Sequence, residues 1–229
     1  MRYYELLVTA MLNKDIPFNC SNEELSNFIN IAMLQDDVLK AKHLSKGFKH
    51  YNFSSFYPTE KDKVYKKGKI YLFTVRSAEK DFIQKLKRTL KEVKHNGINV
   101  IASELKEKKQ QFITEINTIT PVVVTLKEGK HWQHGEDIEL LKQGLHNNLR
   151  NKYQHLFEID LNDNELFFDG IIITNRKSII TQYKGGCLIG NKLKLQIKTD
   201  DNSQIIATMC LMSGLGEKNS IGMGFCHAH

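Results

Sequence analysis

Residues 69–93, KIYLFTVRSAEKDFIQKLKRTLKEV, change their hydrophobic period halfway along. Up to Ser77 the segment is rich in aromatic and branched side chains, the makeup of a strand. From Ala78 the apolar positions fall at Phe82, Ile83, Leu86 and Leu90, one face of an amphipathic helix. A further strand, INVIASEL, follows at residues 98–105. Upstream, KHYNFSSFYP (49–58) alternates as a strand and stops at Pro58. Before it, SNEELSNFINIAML (21–34) reads as a helix with Leu25, Phe28, Ile29 and Ala32 on one stripe. Ser21 is its expected N-cap, with Glu24 three residues on. Residues 2–12 alternate as an opening strand. The order is β-α-β-β-α-β, the ferredoxin-like unit.

The second half repeats it. NTITPVVVTL (117–126) reads as a strand, and a polar loop with His131, Trp132 and His134 follows. The helix expected over 137–157 has Ile138, Leu141, Leu145, Leu149 and Tyr153 on its buried stripe. Residues 165–186 and 187–201 supply paired strands, 202–212 a short helix, and 221–229 a last strand. The fold class is therefore α+β, two tandem ferredoxin-like units at residues 1–112 and 113–229. The charged stretch KEKKQQFI marks the boundary, near 106–116.

The 229 residues are enough for one large or two small cores. Lys and Arg outnumber Asp and Glu by 33 to 26, a net charge of +7, which points to a polyanionic partner. Cys20, Cys187, Cys210 and Cys226 form no CxxC pair, arguing against a disulfide framework or a structural zinc site and for a reducing cytoplasm. The opening residues lack the pattern of a signal peptide, and no stretch has the roughly 18 apolar residues of a membrane span. The expectation is a cytoplasmic protein with no membrane contact.

The chain ends in SGLGEKNSIGMGFCHAH, where Gly214, Gly216, Gly222 and Gly224 bracket Glu217, Lys218, Asn219 and Ser220. A dinucleotide fingerprint would need glycine where Asn219 stands and a full βαβ unit after it. A Walker phosphate loop would need Gly-Lys-Ser/Thr. Two readings survive, a flexible turn before an edge strand and a nest of backbone N–H groups facing an anion, with Lys218 as its cation. Four glycines at ordered spacing favour the nest.

With its helix-loop-strand context and its place at the chain end, GLGEKNSIGMGF resembles the C-terminal glycine-rich loop of the CRISPR-associated precursor-RNA-processing endoribonucleases. These are the sixth Cas family, within the RAMP superfamily. The tandem layout is similar to that family over the whole chain. The resemblance implies binding of CRISPR repeat RNA through Gly214, Gly216, Lys218, Asn219, Ser220, Gly222 and Gly224. It also implies one cut per repeat without metal or other cofactor, leaving 5′-OH and 2′,3′-cyclic phosphate ends. Other Cas proteins of an effector complex are further expected partners, and the chain is expected as a monomer or homodimer. Related RAMP proteins carry such a loop without cutting, so the alternative is a non-catalytic RNA-binding subunit of a CRISPR effector complex. A ferredoxin-like regulatory module would explain the layout, but neither the basic charge nor the glycines.

Family catalytic residues lie near the end of the first helix and the strand after it. Here that stretch is KAKHLSKGFKHYNFSSF (40–56), and its H-x-x-K-G-x-K spacing resembles members with a catalytic histidine and lysine. His43 is assigned as general base or acid and Lys49 as phosphate stabiliser, with Lys46 and His50 as alternates. Histidine titrates near working pH, and lysine is a standing cation. Some members carry a tyrosine on the first helix, where this chain has Phe28, Asn30 and Ile31. The second proton-transfer group is thus left to His50, Tyr51 or a water. His131 and His134 lack a third ligand nearby in sequence, and Trp132 is either a core residue or a stacking platform for a base.

Overall fold

The computed structural model describes residues 1–93, 97–127, 129–161 and 165–229. In chain order its strands are β1 (Arg2–Leu12), β2 (Ile16–Pro17), β3 (Tyr51–Phe53), β4 (Val64–Tyr65), β5 (Ile70–Ser77) and β6 (Ile98–Lys109). They continue as β7 (Glu115–Thr118), β8 (Phe168–Ile173), β9 (Ile179–Tyr183), β10 (Gly186–Gly190), β11 (Leu193–Ile197) and β12 (Cys226–Ala228). The helices are α1 (Ser21–Met33), α2 (Asp37–Leu44), α3 (Lys80–Glu92), α4 (Ile138–Phe157) and α5 (Asp201–Ser213).

Two antiparallel four-stranded sheets run β3-β5-β1-β6 and β12-β7-β11-β8. Counting each unit's own strands, both follow the order 2-3-1-4, as the β-α-β-β-α-β reading requires. The apolar stripes of α1 and α3 join Leu6, Val8, Phe73 and Val75 in one core. Leu141, Leu145 and Leu149 of α4 and Ile206 and Cys210 of α5 join Ile116 and Leu195 in a second. Arg76 ties the two together. Buried on β5, it donates from Nε to Glu5 Oε2 at 2.8 Å and lies 4.4 Å from the Phe225 ring centroid.

The structure departs from the sequence reading in several places. Residues 106–109, expected in a charged boundary, belong to β6, whose ladder with β1 reaches the pair Arg2↔Lys109. Charged side chains fit an exposed sheet face as well as a linker. The strand expected over 49–58 keeps only Tyr51–Phe53 in ladder, with a lone bridge from Tyr57 to Leu72. The one over 117–126 breaks after Thr118 into isolated bridges at Val122, Val123 and Thr125. Ser21 is not the cap of α1. Cys20 holds that position, because a 3-10 turn leads into the helix and the Ser21 hydroxyl donates to Phe18 O at 2.7 Å.

The unforeseen α2 holds His43 in its last turn. Asp36 caps it, accepting from Val38 and Leu39 N–H at 3.1 and 3.2 Å. The β9–β10 hairpin is likewise unforeseen. It forms its own two-stranded ladder outside the second sheet and lies against α1.

Candidate functional site

The segment after α2 is fixed by its own lysine. Lys49 Nζ donates to Lys42 O at 2.7 Å, to His43 O at 3.0 Å and to Ser45 O. An ammonium here satisfies carbonyls that the helix end leaves without partners and sits at the negative end of its dipole. Burial, with the charge of Lys42, lowers the Lys49 pKa. His43 is half-buried, and its pKa is lowered by burial first, then by the charges of Lys49 and Lys184. Its imidazole is thereby biased to the neutral form, the form that accepts a proton. Lys46 is exposed.

His50 faces inward. It is 5% exposed, with Nε2 2.8 Å from His155 Nδ1 and Nδ1 3.5 Å from the Ser213 hydroxyl. Burial, then His155, Lys42 and Lys152, pull its pKa down to about 3. Tyr51 is buried, donates its hydroxyl to Ser220 O at 3.3 Å, and has its pKa raised by burial. Neither is set up to exchange protons with a ligand near neutral pH.

The glycine segment closes on itself. Gly224 has φ +67, and a Cβ there would lie 1.9 Å from Leu215 O. Gly222 has φ +87, and a Cβ would meet the Phe53 ring at 2.6 Å. The backbone comes this close to protein atoms, so a larger residue at either position would break the loop before it met any ligand. Asn219 stitches the turn from inside. Its amide donates to Leu215 O and Met223 O at 3.1 and 2.9 Å, and its Oδ1 accepts from Lys152 Nζ at 2.6 Å. The same Lys152 Nζ donates to Gly214 O at 2.8 Å and Gly216 O at 2.6 Å. Sequence reading missed Lys152, which is 3% exposed and whose pKa burial lowers to about 7.

What the loop presents outward is backbone. Lys218 is left-handed (φ 58, ψ 30) and is followed by a 3-10 turn over Asn219–Ile221. A left-handed residue before a right-handed one aims successive N–H groups into one concavity. Among the described residues, the N–H groups of Lys218, Asn219 and Ser220 have no acceptor. These three residues help to line a cleft of about 260 Å³ whose lining also includes Gly47–His50, but not His43. The glycine segment and the segment after His43, which touch where Tyr51 meets Ser220, 169 positions further along the chain, thus share one cleft.

A second cleft, about 810 Å³, is lined by aromatic residues including Phe18, Phe56, Tyr57, Tyr65 and Phe225, with Lys192 and His227 also in its wall. Of the other singled-out residues, Trp132 is buried and donates to Asp137 O at 2.8 Å, so it belongs to the core. His131 Nδ1 accepts the Ile189 N–H at 3.1 Å.

Comparison with known proteins bears on the family and the fold. The family model described as "CRISPR associated protein Cas6, C-terminal" matches residues 102–228. A curated relative, "CRISPR-associated endoribonuclease Cas6 2" of Methanocaldococcus jannaschii, is 25% identical, covering 93% of this chain and 94% of its own. Among solved structures, "An RAMP protein binding different RNA substrates" superposes with a TM-score of 0.78 at 19% identity, over 99% of both chains. "Characterization of a Cas6-related gene from Pyrococcus furiosus" gives 0.73 at 20% identity, over 100% of this chain and 98% of that one. The family model spans more than half of the sequence, and the chain belongs to the Cas6 family of CRISPR-associated proteins.

Proposed function

We propose that the protein is a metal-independent endoribonuclease that binds CRISPR repeat RNA and cuts precursor RNA once per repeat. The observation that carries this reading is the shared cleft, with an anion nest at Lys218–Ser220 on one wall and the segment following His43 on the other. On this reading the nest and Lys218 hold a backbone phosphate at the cleft, and the neutral imidazole of His43, in the last turn of α2 ahead of the cleft-lining segment, takes the proton of the neighbouring 2′-OH. The oxygen attacks phosphorus, leaving 2′,3′-cyclic phosphate and 5′-OH ends. Lys49, bound to the α2 carbonyls, holds His43 in place and adds positive potential. The aromatic cleft offers stacking surface for unpaired bases.

Labelled repeat RNA incubated with the protein in EDTA should be cut at a single site. Replacing the adjacent 2′-OH by hydrogen should abolish cutting and spare binding. Cleavage that stops in EDTA, or persists without the 2′-OH, would overturn this mechanism. One observation favours the second reading, a binding-only subunit: the Lys49 ammonium is already occupied by protein carbonyls. Tight binding with no cleavage would establish it.

Lys218→Ala tests the nest under either reading. Removing one phosphate contact should reduce the slope of log affinity against log salt by about one. An unchanged slope would take Lys218 out of the interface.

A further inference from the structure

Cutting RNA through its own 2′-OH needs two proton transfers, one from the nucleophile and one to the departing 5′-oxygen. His43 serves one. The segment after it supplies no second group, because Lys49 is held by carbonyls, His50 is buried against His155, and the Tyr51 hydroxyl is committed to Ser220 O.

The other unit reaches the same place. The β9–β10 hairpin turns through Lys184 (φ 49) and Gly185 (φ 74), two consecutive left-handed residues that make a tight two-residue turn. Its tip lands on α1, where the Lys184 N–H donates to Glu23 Oε1 at 3.0 Å. The Tyr183 hydroxyl lies 3.5 Å from Ser26 Oγ, which is 3.5 Å from the Asn30 amide nitrogen. These are long contacts, and Tyr183 is half-exposed, so its hydroxyl remains available to a ligand. Electrostatics marks the same neighbourhood: Lys184 contributes to lowering the His43 pKa, and Tyr183 to raising that of Tyr51. Tyr51 in turn touches Ser220 of the glycine segment. One turn before Ser26 on the same helix, Asn22 donates to Gly222 O at 3.2 Å, and α1 also packs against α2, so the hairpin tip, the helix that carries His43 and the glycine segment meet around α1.

We propose that Tyr183 is a further catalytic residue, the general acid that protonates the 5′-oxygen as the P–O5′ bond breaks. In this step the 2′-O–P bond forms, the 2′-OH proton passes to His43, and the phenol proton passes to O5′. The phenolate then regains a proton from solvent, and the imidazolium loses one. Lys184, beside the phenol, carries positive charge toward the phosphate and stabilises the transient phenolate. The inference rests on the cleavage reading above.

The test is single-turnover cleavage of repeat RNA by wild type, Tyr183→Phe and His43→Ala. Each is run on ordinary RNA and on RNA whose scissile 5′-oxygen is replaced by sulfur. Sulfur departs as a thiolate and needs no proton. Tyr183→Phe should cut ordinary RNA roughly 10²-fold more slowly than wild type, bind it equally well, and cut the sulfur substrate at the wild-type rate. His43→Ala should be slow on both. Equal loss on both substrates for Tyr183→Phe, or none on ordinary RNA, would overturn the assignment while leaving the cleavage reading intact. A wild-type protein that cuts neither substrate would overturn the cleavage reading itself.

Discussion

Replacing His43 with alanine should slow single-turnover cleavage of repeat RNA by roughly 10²–10⁴-fold, the usual worth of a general base or acid. Repeat affinity should barely move, since one neutral side chain counts for little beside many phosphate contacts. The direction of its pKa shift adds a second readout. A base works only when unprotonated, and the His43 pKa is lowered from 6.5, so the acid limb of the rate profile should fall below that pH. Lys49→Ala should cost rate as well, because it removes the ammonium that binds Lys42 O and His43 O at the end of α2. His50→Ala is the contrasting variant. Its imidazole packs against His155 and Ser213, so its loss should lower stability more than it lowers the chemical rate on folded protein. If His50→Ala abolishes cleavage while His43→Ala leaves it near wild type, the two roles are exchanged. If neither slows the reaction, the chemistry lies elsewhere.

The difference between what could be read in the chain and what could not follows from range. The α3 stripe of Phe82, Ile83, Leu86 and Leu90 is a local pattern, and it is buried as its period demands. Two runs of such patterns in the same order were enough for the tandem fold. By contrast, α2 buries only Leu39, so no period betrays it, and its one local signal was Asp36 as an N-cap. The glycine cluster was visible as a cluster, but what each glycine avoids was not. Phe53 comes from the other unit and Leu215 O from the far end of the same loop. Tyr183 gave no signal at all, because where a hairpin tip lands is decided by packing between units. Lys152 was missed for a different reason. It stands three residues after Leu149 and seven after Leu145, on the apolar stripe of α4. A lysine on a buried stripe is itself a signal, since an ammonium is buried only where acceptors await it.

Those acceptors make Lys152 the second position where one substitution should act strongly. In Lys152→Met the side chain keeps its length and loses its hydrogen bonds, three from the ammonium and at most two from the amine that replaces it above about pH 7. Gly214 O, Gly216 O and the Asn219 amide oxygen then lie buried without that donor. Each buried acceptor left unsatisfied costs about 1–3 kcal/mol, so the variant should lose roughly 3 kcal/mol or more. For a chain of this size that lowers the melting temperature by roughly 10 °C. The loss should also have a pH signature. The Lys152 pKa falls from 10.5 to about 7 in the folded protein, so between these values the unfolded chain binds the extra proton. Stability from this group therefore rises with pH across that window, and the gap between wild type and variant should widen from pH 7 toward pH 10. Asn219 would lose its anchor, and with it the turn that aims the Lys218–Ser220 N–H groups, so repeat RNA affinity should fall even where the variant stays folded. A variant that melts with wild type and binds RNA equally well would mean that the glycine segment holds its shape without Lys152. The nest would then owe its geometry to the backbone of the loop alone.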